Sequence, residues 1–80
     1  MLKVGQRVRV YLPQGEQTIS QAVRKFNGKV ATVTANNRHI PARQGAFFTY
    51  QLEGCKSRYG FPYEFLEEWL IPYDVEEEQL

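Results

Sequence analysis

Alternation of apolar and polar residues predicts short β-strands along much of the chain. In the segment QRVRVYL, residues 6–12, every second residue is aliphatic, and this period of two is typical of a strand with one face on a core. Val8 and Val10 would face that core. The same alternation turns Arg7 and Arg9 outward.

Further strands are predicted from β-branched and alternating segments separated by turn residues. The segment KVATVTA, residues 29–35, predicts the second strand. A bulge near residues 31–32, or the strong coiling of a small barrel, would bring both Val30 and Val33 inward. The remaining pattern predicts a loop over 36–45, a third strand over 47–52, a turn around Gly54 over 53–57, a fourth strand over 58–61, a helical turn over 62–66 and a last strand over 68–71.

The segment TISQAVRKFNG, residues 18–28, allows three interpretations. Its apolar residues have helical spacing, at Ile19, Ala22, Val23 and Phe26. Asn27-Gly28 is instead a signal for a tight hairpin turn. An irregular loop would require only that Gly28 adopt a backbone angle that other residues avoid. A short helix and an irregular loop are equally supported, ahead of the hairpin, and all three begin a strand at Lys29.

Length and charge limit the classes of protein to consider. A chain of 80 residues, 42% hydrophobic and 14% aromatic, has room for one folded domain, predicted over residues 1–73. Residues 1–60 carry ten Lys and Arg against two acids, a net charge of +8, whereas residues 61–80 carry seven acids and no base. We expect an electropositive body followed by a disordered acidic tail over residues 74–80. This tail could fold over the basic face and compete with phosphate.

The sequence pattern predicts neither secretion nor insertion into a membrane. Lys3, Arg7 and Arg9 interrupt the N-terminus, where a signal peptide needs an unbroken apolar region. No apolar run approaches the roughly 20 residues that cross a bilayer. Cys55, the single cysteine, excludes an internal disulfide and suits a reducing compartment. We therefore expect a cytoplasmic protein without a membrane partner.

Two segments resemble known small β-barrel domains. VGQRVRV, residues 4–10, is similar to the first strand of many bacterial SH3-like domains, and KFNGKVATVT, residues 25–34, resembles the KOW element of ribosomal and transcription-elongation proteins. The pattern is also similar to small SH3-like accessory subunits of photosynthetic electron-transfer complexes. The resemblance implies an all-β fold, a five-stranded SH3-like barrel with a helical turn before the last strand and room for one short helix in the first long loop.

No residue pattern predicts catalysis or a cofactor. His39 lies in a polar loop segment without a flanking acid, and Cys55 is expected in a turn beside Lys56. One histidine and one cysteine cannot build a metal site unaided. We expect a protein that is not an enzyme and that binds neither a metal nor a cofactor.

The basic residues and neighbouring aromatic rings predict a nucleic-acid interface. The candidate site residues are Arg7, Arg9, Arg24, Lys25, Lys29, Arg38, Arg43 and Phe47. Tyr11, Tyr50 and Tyr59 could add stacking faces to RNA or DNA. Core packing is nevertheless favoured for Phe48, Tyr50 and Phe61, and Phe47 is expected to face outward. The alternative is a protein-interaction module or an accessory subunit of a larger complex, with no nucleic-acid contact, that docks through Phe47, Trp69 and the acidic end.

Overall fold

Five β-strands, one helical turn and one 3-10 turn make up the computed structural model of the chain. The structure describes residues 1–16, 18–43 and 45–73, so the predicted acidic tail at 74–80 lies outside the described residues. The elements are β1 (Arg7–Val10), α1 (Gln21–Arg24), β2 (Val30–His39), β3 (Phe47–Lys56), β4 (Pro62–Leu66), a 3-10 turn (Glu67–Trp69) and β5 (Leu70–Pro72).

All five strands belong to one antiparallel sheet. The strand order is β4-β3-β2-β1-β5, so the last strand returns to pair with the first. The described residues form no ladder between β4 and β5, and the sheet is not closed into a barrel. The prediction of an all-β fold with a helical turn before the last strand is confirmed.

The first strand follows its sequence pattern. Val8 and Val10 are fully buried, and Arg7 and Arg9 are exposed. The β1 ladder places Arg7 opposite Thr32 on β2. The alternation was sufficient here because β1 lies between β2 and β5, with one face against the core.

The second strand is longer than predicted, and its bulge lies elsewhere. It continues past Ala35 to His39, through a segment predicted as loop, because each of these residues pairs with β3. The register shifts between Val33 and Ala35 rather than near residues 31–32. Ala31 and Val33 are the buried pair, whereas Val30 is half-buried, so the predicted inward pairing of Val30 with Val33 is wrong.

The third strand continues through the glycine that was expected to end it. Gly54 has a φ of +79°, and the ladder to β4 shifts register between Gln51 and Lys56. A left-handed residue inside a strand is typical of a bulge. The predicted turn over 53–57 is therefore wrong, and the chain reverses at 57–61 instead.

The predictions for residues 58–66 are wrong in position. Residues 58–61 form a turn rather than a strand, and Pro62–Leu66 is β4 rather than a helical turn. Pro62 is tolerated as the first residue of a strand at the edge of the sheet. The helical turn occurs at Glu67–Trp69, directly before the last strand.

The segment before β2 is a single helical turn between two buried anchors. α1 spans only Gln21–Arg24, and Ile19 and Phe26 on either side of it are buried. Gly28 has a φ of +84°, and its N–H donates to the Val10 carbonyl at 2.7 Å. Both favoured interpretations are thus combined: a short helix forms, and Gly28 supplies the unusual angle that starts β2.

One hydrophobic core joins the sheet to the segments that cover its ends. Its buried members are Leu2, Val8, Val10, Leu12, Ile19, Phe26, Ala31, Val33, Tyr50, Leu52, Cys55, Phe65 and Leu70. Phe48 is half-buried against this cluster, which agrees with its predicted inward orientation. Phe61 is 72% exposed, so its predicted place in the core is wrong.

Candidate functional site

Two of the predicted basic residues share the outer face of β1 with exposed apolar side chains. Arg9 is paired with Ile71 on β5, and its guanidinium carbon lies 5.3 Å from the centre of the Tyr73 ring. Tyr11, just beyond the strand, is 65% exposed. We call Arg7, Arg9, Tyr11, Ile71 and Tyr73 the β1 patch. Sequence reasoning missed Ile71 and Tyr73, which reach this face only because β5 pairs with β1.

Lys25 and Lys29 lie together over one aromatic ring. Their ammonium nitrogens are 5.2 Å and 5.5 Å from the centre of the Phe26 ring, within the range of a cation–π interaction. A Cβ built at Gly54 would lie 3.2 Å from the Lys29 nitrogen. The absence of a side chain at Gly54 thus gives the Lys29 ammonium room beside β3.

Cys55 has the opposite environment from the one predicted. It is fully buried in β3, not in a turn beside Lys56. Burial raises the pKa of its thiol, and the charge of Lys29 lowers it to a smaller extent. Because the thiolate is the reactive form, this environment gives an unreactive cysteine.

Arg24 is engaged in holding the first loop. Its two terminal nitrogens donate to backbone carbonyls, Nη2 to that of Glu16 at 2.5 Å and Nη1 to that of Pro13 at 3.4 Å. These bonds connect α1 to the loop after β1. Arg24 therefore has fewer donors for a ligand than the other basic candidates.

Arg38, Arg43 and Phe47 lie at or near the far end of the hairpin formed by β2 and β3. Arg38 is exposed on β2, paired with Phe48, and Arg43 is exposed in the connecting loop. Phe47 is 39% exposed and stacks on His39, with ring centres 5.0 Å apart and planes at 16°. The predicted outward orientation of Phe47 is confirmed.

His39 belongs to a polar cluster that the sequence did not reveal. Glu64 Oε1 accepts a hydrogen bond from Thr49 Oγ1 at 2.5 Å and from Asn37 Nδ2 at 3.3 Å, and it lies 3.3 Å from His39 Nε2. His39 is half-buried on β2, so the expectation that it lies in a loop is wrong, and its acidic partner Glu64 comes from a different strand. The partners of Glu64 come from β2 and β3, whereas Glu64 itself lies on β4, and only the sheet register brings them together.

This cluster predicts a pH dependence of stability. The Thr49 hydrogen bond is the main cause that lowers the pKa of Glu64 below its ordinary value of 4.5, and burial partly opposes it. A carboxyl with a lowered pKa stabilises the fold above its unfolded pKa and loses that contribution as the pH falls through the folded pKa. In urea unfolding from pH 7 to pH 3, Glu64→Gln should be destabilised at neutral pH and approach the wild type in acid.

The control for this prediction is Glu53→Gln, which changes an exposed glutamate on β3. It should leave the acid limb of the wild-type stability profile unchanged. A Glu64→Gln profile parallel to that of the wild type down to pH 3 would contradict the assigned role of the Glu64 carboxylate.

The turn between β3 and β4 exposes aromatic and basic side chains. Tyr59 and Phe61 are each 72% exposed. The Arg58 guanidinium carbon lies 4.9 Å from the centre of the Tyr59 ring. The segment SRYG carries a readable signal, because Ser at the first and Gly at the fourth position favour a β-turn. Sequence reasoning missed the turn because it assigned these residues to a strand.

The basic residues lack acidic partners within the described part of the chain. Residues 1–16, 18–43 and 45–73 contain all ten Lys and Arg but only five acids. Two contacts at ion-pair distance occur among them: Glu67 with the amino terminus, and Glu64 with His39, which is charged only when protonated. Neither contact involves a lysine or an arginine, so these cations, apart from Arg24 with its bonds to loop carbonyls, remain available to an anionic ligand.

Two surface grooves are lined by glutamate side chains and, among the residues that the structure describes, by no lysine or arginine side chain. One, of about 720 Å³, is lined by Phe48, Leu66 and Leu70 among others and carries Glu67 and Glu68. The other, of about 500 Å³, is lined by Tyr11 and Trp69 with Glu16 and Glu68. The glutamates disfavour phosphate in both grooves, and the cation of the larger groove is the amino terminus beside Glu67. An anionic ligand would therefore contact the surfaces outside these grooves, where the lysine and arginine side chains lie.

Searches for a metal site, a membrane span and known relatives gave no assignment. Among the described residues, no group of three or more His, Cys, Asp or Glu side chains could hold a metal ion. In the same part of the chain, no helix has the length and apolar character needed to span a membrane. Comparisons with protein-family models, with curated proteins and with solved structures found no match.

Proposed function

We propose that the protein is a small non-enzymatic binding module that contacts nucleic acid or a nucleoprotein assembly through its basic surface. One observation carries this proposal: none of the ten Lys and Arg forms an ion pair within residues 1–16, 18–43 and 45–73. Unpaired cations in this number favour a polyanionic partner.

The pairing of cations with aromatic rings supports the same function. Basic side chains lie over aromatic rings at three places: Arg9 at Tyr73, Lys25 and Lys29 at Phe26, and Arg58 at Tyr59. Protein surfaces that bind single-stranded nucleic acid combine positive charge with aromatic rings on which the nucleobases stack. The β1 patch and the β3–β4 turn have this composition.

The finer fold assignment is also a proposal. The meander from β1 to β4, with β5 returning to β1 after a 3-10 turn, supports an SH3-like arrangement of a strongly curled sheet. We propose that the chain is an SH3-like domain of the KOW-like type. This assignment is compatible with nucleic-acid binding but does not establish it, because one fold supports many functions.

The test is the binding of fluorescent oligonucleotides at several salt concentrations. Because each neutralised phosphate releases counterions, the logarithm of the binding constant should fall with the logarithm of the salt concentration by about 0.7 per contact for a single strand. Arg9→Ala should weaken binding and make the salt dependence shallower by the contribution of about one phosphate contact. Lys3→Ala removes one charge from an exposed residue outside the candidate site and should have a smaller effect.

Two results would contradict the proposal. One is the absence of binding to any single-stranded or duplex oligonucleotide at low salt, both for the full chain and for a chain ending at Tyr73, which lacks the acidic residues 74–80. The other is equal loss of affinity in Arg9→Ala and Lys3→Ala, because that would show only a general effect of net charge.

A second candidate function is a protein-interaction module, and the smaller groove favours it. Tyr11 and Trp69 supply an aromatic lining, and Glu16 and Glu68 are its charged residues. This composition fits a basic segment of a partner protein. If Glu68→Gln weakens association with an identified host complex while oligonucleotides fail to bind, this candidate replaces the first.

A further inference from the structure

The turn between β3 and β4 is held in one conformation by its own hydrogen bonds. Ser57 N–H donates to the Phe61 carbonyl at 2.8 Å, and Gly60 N–H donates to the Ser57 carbonyl at 2.9 Å. Ser57 Oγ accepts from the N–H groups of Tyr59 and Phe61, at 3.3 Å and 3.2 Å. Gly60 has a φ of +88°, as a three-residue hairpin loop requires. The turn is therefore preorganised.

This preorganised turn displays two large rings to solvent. Tyr59 and Phe61 are each 72% exposed, whereas aromatic side chains of this size are usually well buried. Arg58 covers the Tyr59 ring, and its Nη2 donates to the Tyr59 hydroxyl at 2.8 Å. Phe61 has no ring partner within the described residues. Two exposed rings on one short turn make this turn a candidate contact site.

The charged residues of this turn and of the strand end before it are all basic. Lys56 and Arg58 are exposed, and residues 54–61 contain no acid. Neither of these two basic residues forms an ion pair within the described part of the chain. The ligand that fits this turn therefore presents planar apolar faces together with negative charge. An unpaired nucleotide has both features in one unit.

We propose that the β3–β4 turn, residues 57–61, is the base-stacking element of a site for single-stranded nucleic acid. This inference rests on the proposed function and specifies its substrate class. Bases inside a duplex already stack on one another, so rings at the tip of a turn gain contacts only from unpaired bases. Lys56 and Arg58 contact the phosphates, and the faces of Tyr59 and Phe61 contact bases.

The experiment compares a single-stranded oligonucleotide with a duplex of the same sequence by fluorescence anisotropy at fixed salt. Tyr59→Ala and Phe61→Ala should each bind the single strand at least about fivefold more weakly, with little change for the duplex. Tyr59→Phe keeps the ring and should retain most of the affinity. Ile40→Ala removes an apolar side chain that is 70% exposed in another loop and should bind like the wild type.

The possible outcomes separate this inference from the function on which it rests. If Arg9→Ala weakens binding but Tyr59→Ala and Phe61→Ala do not, the nucleic-acid function stands and the role of the turn is overturned. If the ring variants weaken single-strand and duplex binding equally, stacking on unpaired bases is also overturned. If no oligonucleotide binds at low salt, both proposals fail. Circular dichroism melting should show that each variant keeps the wild-type fold.

Discussion

Replacing Phe65 by alanine should cost the protein about 3–5 kcal/mol of unfolding free energy. Phe65 is fully buried on β4, and its ring meets Phe26 edge-on with centres 6.5 Å apart. A chain of this length has a total stability of about 4–12 kcal/mol. The variant should therefore be largely unfolded or strongly destabilised when measured by urea or thermal denaturation.

Phe61→Ala is the matched control for this prediction. It makes the same chemical change four residues earlier, at a side chain that is 72% exposed. Such a substitution should change stability by no more than about 0.5 kcal/mol. Equal destabilisation by the two variants would show that Phe61 is part of the core, as the sequence pattern suggested.

Replacing Tyr50 by phenylalanine should cost about 1–3 kcal/mol although the ring is retained. Tyr50 is fully buried, and its hydroxyl accepts from the Leu2 N–H at 3.1 Å and donates to Glu67 Oε1 at 2.6 Å. The variant leaves the Leu2 N–H without this acceptor and the Glu67 carboxylate without this donor. Tyr11→Phe, at a 65% exposed tyrosine, is the control and should change urea unfolding little.

Ionisation of the Tyr50 hydroxyl should reduce the stability of the wild-type protein at alkaline pH. Burial is the main cause that raises the pKa of Tyr50 above its ordinary value of 10.0, and the hydrogen bond to Glu67 raises it further. A group whose pKa is raised by folding contributes its full stability below the unfolded pKa and loses it as the pH rises above that value. The stability difference between the wild type and Tyr50→Phe should therefore narrow above about pH 10. A constant difference from pH 8 to pH 11 would contradict this assignment.

The sequence predictions were correct where neighbouring residues determine the structure and wrong where pairing between strands determines it. The alternation around Val8 placed Arg7 and Arg9 outward, and the glycine at position 28 marked the start of β2. At Gly54 the same kind of signal failed, because a left-handed glycine can form either a turn or a bulge within a strand. Pairing of β3 with β4 on both sides of Gly54 decided for the bulge. That shift moved the turn to 57–61 and exposed Phe61.

The candidate site was predictable as a set of residues but not as an arrangement. Sequence reasoning found the excess of basic residues and the outward Phe47. It could not show that Lys25 and Lys29 lie over Phe26, that Arg24 bonds to loop carbonyls, or that Ile71 lies beside Arg9. Each of these contacts joins different elements, so sequence spacing alone does not determine them.

The sequence by itself determined the strand character of the chain, its all-β class and the uneven distribution of its charge, because side-chain periodicity and β-branching act locally. The tertiary structure alone decided which phenylalanine is buried, where β3 ends and which acids meet His39. These features depend on register, and a shift of one residue turns each side chain of a strand to the opposite face.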